Sequence, residues 1–71
     1  MRIIKHLRKQ KNLSRKEFID NYNSLYGMNL GRFNLLLIEN GYKKISPRMV
    51  SSFAEYYGVS KDVIRDNEEI N

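Results

Sequence analysis

The chain contains no cysteine, so neither a disulfide nor a thiolate metal site can supplement hydrophobic packing. That composition fits a reducing cytoplasm. Long apolar runs are also missing. The longest uninterrupted apolar stretch, Leu35 to Ile38, is far too short to span a bilayer. Arg2 and Lys5 precede no extended apolar segment, which predicts no secretory leader. Histidine occurs once, at His6, expected on the solvent face of the first helix with no serine or cysteine partner at a recognisable spacing. Glycine-rich phosphate loops and metal-ligand clusters are absent from the sequence. Glu68 and Glu69 sit in a polar end unsuited to holding a carboxylate pair. Catalysis, a metal, a cofactor and a small-molecule substrate are therefore not expected.

What is present is positive charge, unevenly placed. The 71 residues carry a net charge of +5. From Met1 to Arg48 eleven Lys or Arg face Glu17, Asp20 and Glu39, a balance of +8. From Met49 onward the balance is −3. Nucleic acid is the first partner such a gradient suggests, because neutralising phosphates releases counterions. A lysine-rich solvated surface accounts for the charge equally well, and for Lys5, Lys9 and Lys11 it is the better account.

Apolar periodicity divides the chain into five short helices. Ile3, Ile4 and Leu7 recur at helical spacing in a first helix ending near Asn12. Ser14-Arg15-Lys16-Glu17 is a capping box. It opens a second helix with Phe18, Ile19 and Tyr22 on its buried stripe and Leu25 and Tyr26 one turn further on. Gly27 can end that helix in a left-handed conformation. Leu30 to Asn40 reads as a third helix, stopped by Asn40-Gly41, and Tyr42 to Ile45 as a basic loop. Ser46-Pro47 starts a fourth helix, with Val50, Phe53, Ala54 and Tyr57 facing the core and Gly58 closing it. Ser60 caps a last short helix carrying Val63 and Ile64. Tyr22, Tyr26, Tyr56 and Tyr57 fall at helical spacings and are expected in the core or against a partner. The spacing predicts an all-α bundle over residues 1–64 and a polar, acidic, frayed end over 65–71. Helices this short persist only when packed.

The order of these signals resembles the helix-turn-helix repressors that include phage Cro and CI proteins, a group often called XRE-like. Leu7-Arg8 and Leu13-Ser14 with Glu17-Phe18 are similar to that family's first helix and the opening of its second. Ile38-Glu39-Asn40-Gly41 is similar to the signature ending its recognition helix. Pro47, Phe53-Ala54 and Tyr57-Gly58-Val59-Ser60 are similar to its fourth helix and the following turn. The resemblance spans Ile3 to Ile64 and implies a five-helix, lambda-repressor-like bundle. Between Ser14 and Gly41 this chain is several residues longer than the common form, around Asn21 to Met28. The second helix or its turn must be extended there, so the usual docking angle does not carry over.

The resemblance implies a small phage or mobile-element transcriptional regulator that binds double-stranded operator DNA in a bacterial cytoplasm. In that family the third helix enters the major groove. Carried over by position, Arg32, Phe33 and Leu37 would face the bases, with Gly31 and Asn34 near the backbone. Arg32 can pair with guanine O6 and N7. Phe33 and Leu37 can only touch a thymine methyl or wedge between bases. Asn40, Tyr42, Lys43 and Lys44 would lie beside phosphates, as would Arg15 and Lys16 at the start of the second helix, where an anion is favoured. Such modules usually dimerise, and any homodimer would have to use the bundle itself.

Phe33, Leu36 and Leu37 leave an alternative open. They can pack against the extended second helix, or form an exposed apolar patch of the kind that marks protein-binding surfaces. In the second case the chain would be an antirepressor that binds a partner repressor through this helix.

Overall fold

Three serines set the starts of three helices. The Oγ atoms of Ser14, Ser46 and Ser60 accept hydrogen bonds from the N–H groups of Glu17, Met49 and Val63 at 3.1, 3.3 and 3.4 Å. Each satisfies one of the donors that a helix start leaves free. At Ser14 the box is complete, because the Glu17 carboxylate accepts from the Ser14 N–H at 2.8 Å. Two glycines set helix ends: Gly27 and Gly58 adopt φ of 61° and 68°, the left-handed region that side chains resist.

The computed structural model describes residues 3–68. It contains α1 (Ile3–Gln10), α2 (Arg15–Tyr26), α3 (Arg32–Glu39), α4 (Pro47–Tyr57) and α5 (Lys61–Arg65), then a 3₁₀ turn (Asp66–Glu68). The fold is all-α, and the described residues contain no strand. No described helix is long and apolar enough to cross a membrane.

Every helix except α5 places at least two side chains in the interior. Ile4, Phe18, Tyr22, Leu35, Ile38, Phe53 and Ile64 form its centre. Phe18 holds the aromatic part together, stacking on Tyr22 and Tyr57 and meeting Phe53 and Tyr56 edge-on, with centroids 5.1–5.6 Å apart. Such offset and T-shaped pairs add to area burial. Tyr22 is buried but satisfied, because its hydroxyl shares a hydrogen bond with Ser52. Burial pushes the Tyr22 phenol above its ordinary range, partly offset by that hydrogen bond.

The structure differs from the sequence-based expectations at three places. α1 ends at Gln10 rather than near Asn12, because Asn12 itself turns the chain at φ 57°. α3 begins at Arg32 rather than Leu30. Leu30 belongs to the preceding turn and is buried there. Its N–H donates to Asn23 Oδ1 and its C=O accepts from Asn23 Nδ2, both at 3.0 Å. The connection from α2 to α3 over residues 27–31 is thus clamped by one side chain.

The third difference corrects the expected fraying from Arg65. Asn67 is fully buried. Its Oδ1 accepts from the Ile4 N–H at 3.1 Å, and its Nδ2 donates to the Ile38 C=O at 2.9 Å. The end of the described chain thus ties the first turn of α1 to the last turn of α3. Glu69 to Asn71, which shared that expectation, lie outside the described residues.

Candidate nucleic-acid interface

The orientation of α3 follows from its buried side. Leu35, Ile38 and Glu39 face inward. At 3.6 residues per turn, Phe33 and Leu37 then point directly away from the core, with Leu36 and Arg32 on one flank and Asn34 on the other. Phe33 is 71% exposed. Arg32 is exposed, and Asn34, Leu36 and Leu37 are half-buried. Of the two arrangements left open for Phe33, packing against an extended α2 therefore does not occur. Leu36 and Leu37 are partly covered and outside the buried core.

Glu39 fixes the other end of this helix. Its carboxylate is fully buried and receives Arg8 Nε at 2.7 Å and Arg15 Nε at 3.0 Å. Arg8 also reaches Glu39 through a second nitrogen at 3.2 Å and donates to the Leu13 carbonyl at 2.8 Å. A buried carboxylate is tolerated only when paired and hydrogen-bonded. Here it joins α1, α2 and α3. Tyr57 lies nearby with its hydroxyl buried and without a hydrogen-bond partner among the described residues. Burial, with the Tyr56 and Glu39 charges adding to it, pushes that phenol far above its ordinary range.

This triad changes the part assigned to Arg15. Expected beside a phosphate, it directs its Nε inward to Glu39, although its side chain remains 35% exposed. Lys16 is exposed and contacts Asp20 at 3.0 Å. A pair this exposed stabilises little and yields readily to another anion.

The other flank of α3 is closed by the loop between α3 and α4. The chain leaves α3 through Asn40, which is exposed, and Gly41 at φ 80°. The Tyr42 N–H donates back to the Leu37 carbonyl at 2.9 Å, and its side chain is 81% exposed. Lys43 bends toward α3 and donates to Asn34 Oδ1 at 3.0 Å. Lys44 is exposed. Under this flank a cleft of about 190 Å³ lies between Met28, Leu30, Ile38 and Met49, rimmed by Asn34 and Lys43. It is smaller than the usual few-hundred-Å³ pocket of a small-molecule site.

The contacts thus bring Arg32, Phe33, Asn34, Leu37, Lys43 and Lys44 onto or beside one helix, with Arg15 joined to it through Glu39. Sequence reasoning missed Arg48, an exposed cation in the first turn of α4. Its position one residue after Pro47, directly beyond the basic loop, was the available signal. Asn23 was also missed, because side-chain clamps on a turn leave no periodic trace.

One electrostatic property emerges only after folding. Between Asp20 and Glu55 the sequence has a single acidic residue, Glu39, and that one is buried and paired. The exposed charges over this whole stretch, Arg32, Lys43, Lys44 and Arg48, are all positive. Among the described residues, no group of His, Asp and Glu is placed to hold a metal ion.

Compared with family profiles, with characterised proteins and with solved structures, the chain matches none.

Proposed function

We propose that this protein is a small transcriptional regulator that binds duplex DNA, with α3 in the major groove. One observation carries the reading: α3, the following loop and the start of α4 expose four cations and no carboxylate. A stretch whose exposed charges are all positive, with its only acid withdrawn into the core, suits a polyanion. The likeness of Leu13-Ser14, Ile38-Glu39-Asn40-Gly41 and Tyr57-Gly58-Val59-Ser60 to Cro and CI repressors supports the same assignment, including a phage or mobile-element setting. In this arrangement Arg32 reads a base edge, Lys43, Lys44 and Arg48 contact phosphates, and Lys16 exchanges Asp20 for a phosphate oxygen.

Salt titration tests it. Affinity for duplex DNA should fall steeply between about 50 and 200 mM salt, and Lys43→Ala should reduce the log–log slope by about one. No duplex binding at low salt would remove this function.

The 71% exposure of Phe33 favours a second reading, an antirepressor whose apolar α3 docks on a partner repressor. Apolar surface with a cationic rim marks a protein contact as readily as a groove contact. Its test is capture of a repressor encoded in the same genome. Phe33→Glu, a change at a solvent-facing position, should abolish capture while leaving the melting temperature unchanged.

A further inference from the structure

Resting on the DNA-binding reading, we propose that α3 selects its site mainly through thymine methyl groups, with Phe33 and Leu37 as the reading residues. The outward ridge of this helix offers no hydrogen-bonding group. Phe33 is exposed, and Leu37, half-buried, follows one turn later on the side of the helix opposite the buried Leu35, Ile38 and Glu39. Asn34, the nearest amide, stands on the flank with its Oδ1 already engaged by Lys43. Arg32 alone can address a base edge with donors.

In the major groove the only apolar feature of a base edge is the C5-methyl of thymine. An apolar ridge gains nothing from the acceptors of guanine or the amino group of cytosine, and covering those groups without a partner is unfavourable. Two cations beside the ridge point to the occupant. Arg32 is exposed on one flank of α3, and Lys43 is held to Asn34 on the other. An apolar residue between two cations matches a methyl group lying between two rows of phosphates. The consequence is a preference for a short thymine-containing half-site with one guanine in reach of Arg32.

The experiment is selection of bound sequences from a random duplex pool at low salt, followed by replacement of each selected thymidine with deoxyuridine. Deoxyuridine keeps every hydrogen-bonding group and removes only the methyl. Loss of a contacted methyl should weaken binding about fourfold per position. Phe33→Ala should lower affinity for the thymidine site and lose discrimination at one thymidine position, the one that Phe33 covers, while retaining the salt dependence of the parent protein. Because Phe33 is solvent-exposed, that variant should melt with the parent. Equal affinity of the unaltered protein for thymidine and deoxyuridine duplexes would overturn this inference and leave DNA binding standing. Failure to bind any duplex at low salt would overturn both, and would direct attention to an acidic protein partner.

Discussion

At the scale of single residues, Glu39 has the greatest consequence. Removing one member of a buried ion pair leaves its partners charged and dry, which typically costs about 3–5 kcal/mol. In a domain this small a single core rarely supplies more than about 3–5 kcal/mol. Glu39→Ala should therefore unfold much of the protein at room temperature, measured as a collapse of the urea midpoint. Arg15→Ala should cost far less, since Arg15 is partly solvated and Arg8 remains on the carboxylate. Tyr57 presents the opposite case. Its hydroxyl is buried without a partner among the described residues, so Tyr57→Phe removes a desolvated group and should be neutral or stabilising by up to about 1 kcal/mol. The phenol's folded-state pKa is raised by burial. Its ionisation thus favours the unfolded chain, so stability is complete below pH ~10, the ordinary phenol value, and declines as pH rises beyond it. Tyr57→Phe should flatten that alkaline decline, and an unchanged alkaline limb would show that Tyr57 does not govern it. Glu39 and Arg8 were visible in the sequence as separate pieces of a familiar pattern. Their pairing was not, because contacts across 31 positions have no local signature.

At the scale of elements, the helix count was legible because each helix carries its own punctuation: serine caps, one proline and left-handed glycines. The start of α3 was misplaced because a side-chain contact overrides local preference there. Leu30 has the apolar character of a helical residue, yet Asn23 holds its backbone in the turn before α3. The candidate site divides in the same way. Exposure of Phe33 and the cationic loop could be anticipated from helical spacing, whereas the inward turn of Arg15 could not. Asn23 supplies the test at this scale. Asn23→Ala leaves the Leu30 N–H and C=O, both only partly solvated, without their partners, and should cost roughly 1–3 kcal/mol. The same change frees the connection that sets the start of α3. If DNA is the ligand, specific affinity should fall more than non-specific affinity, because phosphate contacts tolerate a shift that base contacts do not. Equal loss of both would show that the clamp serves stability alone.

At the scale of the whole molecule, the relation between charge and closure is the main lesson. The sequence shows a basic part followed by an acidic part, and suggests that residues 65–71 of the second are a frayed end. The fold makes these parts interdependent. Asn67 spans the Ile4 N–H and the Ile38 carbonyl, so the acidic segment is anchored to both the first helix and the candidate reading helix. The donors of a first turn and the carbonyls of a last turn need partners when buried; the Asn67 amide serves the Ile4 N–H and shares the Ile38 carbonyl with the Gly41 N–H. A boundary drawn after Ile64 would remove that amide. Truncation there should lower the melting temperature of the protein, and Asn67→Ala within the full chain should reproduce most of the loss. Asn67→Asp keeps the acceptor for Ile4 but places carboxylate oxygens against the Ile38 carbonyl, so it should be no better than alanine. If Asn67→Ala melts with the parent while the truncated chain does not, the contribution of this segment comes from its other contacts. Amide exchange at Ile4 would separate the two outcomes directly, since only loss of the Asn67 acceptor exposes that N–H without unfolding α5.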